Sequence, residues 1–254
     1  MVRPSRSLFL AFALAVIGCS GSGGGSGSGG GSGGGSGGGS GTGGGHTGPV
    51  TKPKAESCDP DPLETGLVAE QTGVSADFAD CSILTWTAFY KEPDPMIVKA
   101  MIYGESRFDY AADGCTNLPC GVPPGWTDEE AHCFGLMQIV PACSPIEDVG
   151  FQPDGHPDLE LDASAADFGN SVFDPDVNVH IGVAGFAANR AEVEMLFPGC
   201  TDDQYTLMAL GNLSSHGSTT GCDQFNRDYI DYILPGYVMY SKAANYAAHD
   251  YGSL

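Results

Sequence analysis

The chain has 254 residues, 41% of them hydrophobic, and carries 32 acidic side chains against 10 basic ones, a formal charge of −22. That balance excludes binding to nucleic acid through a basic surface, because the phosphate backbone is gripped by clustered Lys and Arg. It also removes simple electrostatic attachment to an anionic polymer, so recognition of such a partner must be local.

Residues 1–18, MVRPSRSLFLAFALAVIG, place Arg3 and Arg6 ahead of an apolar run from Leu8 to Ile17. The run is too short to cross a bilayer as a mature helix and reads as a signal peptide. It closes on Val16-Ile17-Gly18-Cys19, which resembles the lipobox of bacterial lipoproteins; an ordinary signal peptide with an incidental cysteine is the alternative. The resemblance implies lipidation of Cys19 and a membrane-anchored protein facing the periplasm, with Ser20 compatible with sorting to the outer membrane. Residues 19–56 then hold the anchor cysteine and a tether, rich in Gly and Ser from Ser20 to about Gly45. Such a chain has nothing to bury and behaves as a flexible coil, with ends roughly 30 Å apart. Residues 57–254 remain for one domain with a substantial core and no second apolar stretch of membrane-spanning length.

There are nine cysteines. With Cys19 lipidated, the other eight suit four disulfides in an oxidising compartment. Proximity in sequence favours Cys58 with Cys81 and Cys200 with Cys222. A zinc site built from Cys115, Cys120, Cys133 and Cys143 is the rival reading, although their spacings are not of the CxxC type.

Helix signals follow in chain order. Asp94-Pro95 offers an N-cap and a first-turn proline ahead of MIVKAMIYGE, which is apolar almost all round and therefore predicts a buried helix ending at Gly104-Glu105. A second helix is predicted from Asp176 to about Leu196, with Val179, Val183, Phe186 and Ala187 on one stripe. Two more are predicted at Gln204 to Leu213 and at Tyr229 to Tyr246, the last broken at Pro235-Gly236. Long loops at 110–134 and 141–172 carry Pro, Gly and most of the cysteines, so the expected fold class is mainly α with disulfide-stapled loops.

Two stretches carry chemistry. Glu105, in Gly104-Glu105-Ser106-Arg107-Phe108, closes an apolar helix; if it faces a cleft, desolvation raises its pKa and lets it hold a proton near neutrality. A glycosidic oxygen needs such a donor, because an alkoxide is a poor leaving group. The bland reading is a Glu that caps the helix or pairs with Arg107. In the second stretch, Phe134-Gly135-Leu136-Met137-Gln138-Ile139-Val140-Pro141, Gln138 is the one polar side chain, and a buried amide demands a hydrogen-bond partner. Gly135 is expected to permit close approach of a wide substrate.

Together these stretches resemble the lytic transglycosylases of the soluble, goose-lysozyme-like type. That family shows an apolar helix ending in Glu-Ser, then Gly-Leu-Met-Gln-apolar-x-Pro, an Asn-x-x-x-Gly helix start, Tyr-Asn-Ala-Gly and a Tyr-Val-x-x-Val-Leu helix. Glu105-Ser106 and Gly135-Leu136-Met137-Gln138 match outright; Phe173-Asp174-Pro175 with Asn178 through Gly182 resembles the third element, and Tyr229 to Leu234 the last. The match runs from about Asp94 to Tyr240 in the family's order. It departs at Gly211-Asn212-Leu213-Ser214, which lacks the tyrosine before Asn212, and at Asp113-Gly114, where the family often has a Ser.

The resemblance implies a lysozyme-like helical domain that cleaves the β-1,4 bond between N-acetylmuramic acid and N-acetylglucosamine in peptidoglycan, leaving a 1,6-anhydromuramic end. Glu105 would be the single acid and base; Ser106, Met137 through its backbone, Gln138, Asn212 and Tyr229 would hold substrate or orient the acid. A hydrolytic muramidase is the alternative, with Asp109, Asp113 or Asp174 as a second carboxylate. A glycan-binding lipoprotein without activity, or an enzyme directed at chitin, are further readings. No cofactor is implied, and the six histidines show no metal spacing. Asp154 to Asp162 has the composition of a calcium loop or of solvated surface, and His216 is a loop residue or a border of the cleft.

Overall fold

The computed structural model describes residues 58–59, 61–69, 72–92, 94–113, 132–141, 144, 161, 171–214 and 219–253. The signal peptide, Cys19, the tether, His216 and all of the acidic segment but Leu161 lie outside these residues. The described region is mainly α, as expected. Its helices are α1 (Asp80–Tyr90), α2 (Pro95–Ser106), α3 (Pro175–Leu196), α4 (Asp202–Ser214) and α5 (Asp228–Ala243), joined by segments with only isolated β-bridges. None of the described helices is long and apolar enough to cross a membrane.

The centre of the fold is α2. Asp94 Oδ1 accepts from the Met96 N–H at 3.0 Å and Pro95 occupies the first turn, so the N-terminus is capped as the sequence predicts. Every residue from Met96 to Ile102 is buried. The helix stops where Arg107 turns left-handed (φ 55°) and returns its N–H to the Tyr103 carbonyl. α2 lies against α5 and α1, while α3 packs on α1 and α4.

Two polar anchors hold α2 from outside. Asp94 accepts the hydroxyls of Tyr237 (2.7 Å), Tyr251 (3.0 Å) and Tyr246 (3.1 Å), which binds α5 and the C-terminal segment to its first turn. Lys99 has no exposed surface; its ammonium donates to Asp77 Oδ1 (2.7 Å), Asp80 Oδ2 (2.8 Å) and the Leu63 carbonyl (2.8 Å). A buried ammonium with three acceptors is compensated, and it ties the N-terminal segment and α1 to the core.

α1 has no counterpart in the sequence reading. Its apolar side chains do not follow one face, and Ala79 offers no side-chain cap. It is held instead by tertiary contacts: Asp80 on Lys99, the Cys58–Cys81 disulfide, and Trp86, whose indole stacks on His180 at 3.4 Å and donates to Asp176 at 2.9 Å. α5 also differs from expectation, because it runs through Pro235 and ends at Ala243. The proline forfeits one helical hydrogen bond, but neighbouring side chains fix the segment on both sides. A Cβ on Gly236 would lie 2.7 Å from the Tyr103 ring, and Tyr237 is bonded to Asp94.

The disulfides Cys58–Cys81 and Cys200–Cys222 form as sequence proximity suggests. Cys133 is also disulfide-bonded, which withdraws it from the rival zinc set.

Between α2 and α3 the chain makes a tight turn in which Phe134 and Ile139 exchange backbone hydrogen bonds of 2.9 and 2.8 Å. Asn178, buried on α3, latches it. Its Oδ1 accepts from the Met137 N–H at 2.8 Å, and its Nδ2 donates to the carbonyls of Phe134 (2.9 Å) and Val172 (2.7 Å). Gly135 is left-handed (φ 69°), and a Cβ there would strike the Asn178 amide. Gly182 likewise makes room for the Met137 thioether. Asn178→Ala removes the Asn178 bonds to the Met137 N–H and the Val172 carbonyl and one of two bonds to the Phe134 carbonyl, and is expected to cost about 3 kcal/mol, measured by urea denaturation.

Candidate active site

The last turn of α2 opens onto a cleft of about 550 Å³ walled by Gly104, Glu105, Ser106 and Arg107, by Asp109 and Ala111 to Asp113 beyond it, by Gln138 from the latched turn, and by Tyr232 from α5. Tyr232 seals the helix end by donating its hydroxyl to the Gly104 carbonyl at 2.7 Å.

Glu105 stands in this wall with Oε1 sealed from solvent and without a hydrogen-bond partner among the described residues. Burial pushes its carboxyl up from 4.5 to about 7, while the neighbouring Tyr229 hydroxyl pulls it down. Tyr229, buried on α5, is itself raised well above the usual phenol range by burial and by the Glu105 charge. The two groups act on each other through charge and as hydrogen-bonding neighbours, the Tyr229 hydroxyl favouring the ionised carboxylate while burial favours the acid. A carboxyl placed this way keeps its proton near neutrality and has an open cleft in which to deliver it.

The bland alternative for Glu105 does not occur among the described contacts. Arg107 turns away, its guanidinium 3.9 Å above the Tyr103 ring and its Nη1 donating to the Tyr103 carbonyl at 2.8 Å.

The other expected site residues divide. Ser106 lines the cleft, with its hydroxyl donating to the Ile102 carbonyl at 3.2 Å. Gln138 lines it too, held in a left-handed conformation (φ 48°) with Nε2 donating to the Gly135 carbonyl at 2.9 Å. Met137 and Gly135 have intramolecular contacts of their own. Of the Met137 backbone, expected to contact sugar, the N–H is held by Asn178, and the side chain is packed on Gly182. The space that Gly135 leaves is taken by Asn178. Asn212 is buried in α4 with Oδ1 unpartnered among the described residues, and it is absent from the cleft wall. Its neighbour Gly211 faces the backbone of Asn226, where a Cβ would meet the carbonyl at 2.9 Å.

Of the carboxylates proposed as a second acid, Asp174 is occupied in capping α3, accepting from the N–H groups of Asp176 and Val177. Asp109 and Asp113 do line the cleft. Asp109 Oδ1 accepts the Ala111 N–H at 3.0 Å, and Asp113 Oδ1 lies 3.6 Å from His132 Nδ1. Arg107 and Tyr232 were not singled out as site residues in the sequence. A signal existed for Tyr232, since it follows Tyr229 by three positions and shares its side of a helix. No group of three His, Cys, Asp or Glu suited to a metal occurs among the described residues.

No family model matches the chain, and neither a curated protein nor a solved structure matches it.

Two predictions follow from the sealed carboxyl. The folded protein keeps the Glu105 proton up to about 7, whereas the unfolded chain releases it near 4.5, so this group's contribution to stability falls as pH rises between those values. Glu105→Gln is therefore expected to match the parent near pH 4 and to exceed it at pH 8 by up to about 3 kcal/mol, read from paired denaturation curves. Tyr229→Phe removes the group that holds the acid down. In a carboxyl-carbon NMR titration the Glu105 midpoint is expected to move upward from about 7.

Proposed function

We propose that this protein is a lytic transglycosylase that cuts the glycan strands of peptidoglycan, with Glu105 as its only acid and base. The observation that carries the reading is a carboxyl in the wall of an open cleft, with Oε1 sealed from solvent and the group raised to about 7 by burial beside Tyr229. The order of the Glu105-Ser106, Gly135 to Gln138, Asn178 to Gly182 and Tyr229 to Leu234 motifs supports the family.

In the proposed reaction Glu105 gives its proton to the glycosidic oxygen as the bond from C1 of the muramic residue breaks. The carboxylate so formed takes a proton from the 6-hydroxyl of that sugar, whose oxygen closes on C1. One bond to C1 breaks, one forms, no water is consumed, and Glu105 ends protonated as it began. The acid must give up its proton in the first step and accept one in the second, so a pKa near 7 suits both. Gln138 and Ser106 border the space where sugar substituents would lie, and Tyr229 tunes the acid.

The proposed setting is the periplasmic face of a membrane, with lipidated Cys19 as anchor and the Gly/Ser tether giving the domain reach to the wall. A muramidase is the second reading. It is favoured by one observation: Asp109 and Asp113 share the cleft with Glu105, and either would supply the base that hydrolysis requires.

Digestion of purified sacculi followed by muropeptide mass analysis separates the readings. Anhydro-ended products, lighter than reducing ends by one water, are the expected result. The rate should fall about a thousandfold in Glu105→Gln. Reducing ends would establish the muramidase. Absence of any soluble product would leave a glycan-binding lipoprotein.

A further inference from the structure

The cleft wall is polar with one exception. Ser106, Arg107, Asp109 and Gln138 bring donors and acceptors to it, and Tyr232 is its one aromatic side chain among the described residues. Tyr232 is 44% exposed, whereas Tyr229 and Ile233 on the same helix are buried. The ring is exposed yet held in place. Its hydroxyl donates to the Gly104 carbonyl at 2.7 Å, and one edge lies directly on α2, where a Cβ at position 104 would come within 3.2 Å of Cε1 and 3.5 Å of Cδ1. The Arg107 guanidinium stands over the ring at 5.8 Å. Glycine at 104 thus lets an aromatic plane rest beside Glu105, the next residue of the helix. Closing a helix end takes only the hydroxyl; the plane left in water forgoes the gain of burial until a ligand covers it.

A β-linked pyranose of the glucosamine type carries hydroxyl, amide and ether groups round its edge, while its axial C–H bonds form an apolar face. Such a ring calls for hydrogen-bonding groups at its rim and an apolar plane beneath it, and this cleft presents both. We propose that Tyr232 is a sugar-stacking residue, its ring covered by the C–H face of the sugar next to the scissile bond. This inference rests on the glycan-cleaving reading and adds to it a substrate contact outside the motifs. Two independent observations carry it: an exposed aromatic plane in an otherwise polar wall, and the hydroxyl and edge contacts that fix that plane before substrate arrives. A side chain already immobilised loses little further rotamer freedom on binding. Stacking also gives a grip that does not depend on charge, which suits an acidic protein acting on an anionic polymer.

The test uses the full-length protein with Glu105→Gln, to prevent cleavage, and a soluble tetrasaccharide of alternating N-acetylglucosamine and N-acetylmuramic acid. In protein with labelled tyrosine rings, the Tyr232 resonances, assigned by their loss in Tyr232→Phe, are expected to shift on titration and to show NOEs to axial sugar protons. Tyr232→Ala in the same background should weaken binding about tenfold, while Tyr232→Phe, which keeps the plane, should stay within about twofold. If Tyr232→Ala fails to fold, the ring resonances decide alone. Saturation with those resonances unmoved, or unchanged binding in Tyr232→Ala, would overturn the proposal. So would equal losses in the Ala and Phe variants, which would assign the effect to the hydroxyl at the Gly104 carbonyl. Absence of any binding would overturn it as well, and release of fragments from sacculi by the parent protein, measured alongside, would decide separately whether the glycan-cleaving reading stands.

Discussion

A helix buried on every side cannot leave its polar groups to water, and α2 is such a helix. Each charge on or beside it is met from within. Asp94 receives one backbone N–H and three tyrosine hydroxyls, and Lys99 has two carboxylates and a carbonyl. Those partners come from α1, α5 and both flanking segments, so satisfying α2 also assembles the domain around it. Unpaired burial of either charge would cost several kcal/mol, which makes these bonds a condition of the fold and not an addition to it.

Glu105 is the exception on the same helix. Its Oε1 is as sealed as the others, yet among the described residues no cation meets it, and its one polar neighbour is the Tyr229 hydroxyl. The carboxyl meets the constraint by keeping its proton, and that response converts a structural cost into a proton donor. The surroundings are built to preserve the arrangement. Arg107, the nearest cation in sequence, is diverted onto Tyr103, and Tyr232 closes the helix end one turn along α5 from Tyr229. Were Arg107 to reach the carboxyl, its pKa would fall and the acid would be lost.

The opposite wall depends on a residue outside the cleft. Asn178 fixes the turn that carries Gln138, and Gly135 and Gly182 let that turn sit directly on α3. The resemblance of this stretch to a glycan-cleaving family therefore has a structural content of its own. Gly135 and the Met137 N–H, both within the motif, take part in the latch. Asn212 was expected in the cleft because of its place in the motif order, but α4 buries it away from the cleft wall.

Local patterns determined much of this protein. The proline-capped start of α2, the extents of α3 and α4 within two residues, the helical class and the two short-range disulfides were all legible, because each rests on contacts near in sequence. Glu105 as a candidate acid was legible for the same reason: an acid at the end of an apolar run must be desolvated. Tertiary structure decided the rest. α1 exists because Lys99, Cys58 and His180 hold it, and α5 passes through Pro235 because Asp94 and Tyr103 grip its far turns. It was also the long-range fold that set Tyr229 beside Glu105, while the guanidinium two residues away was drawn off locally by Tyr103. A sequence specifies which groups are available, but the partner of a buried charge is chosen by packing across the whole domain.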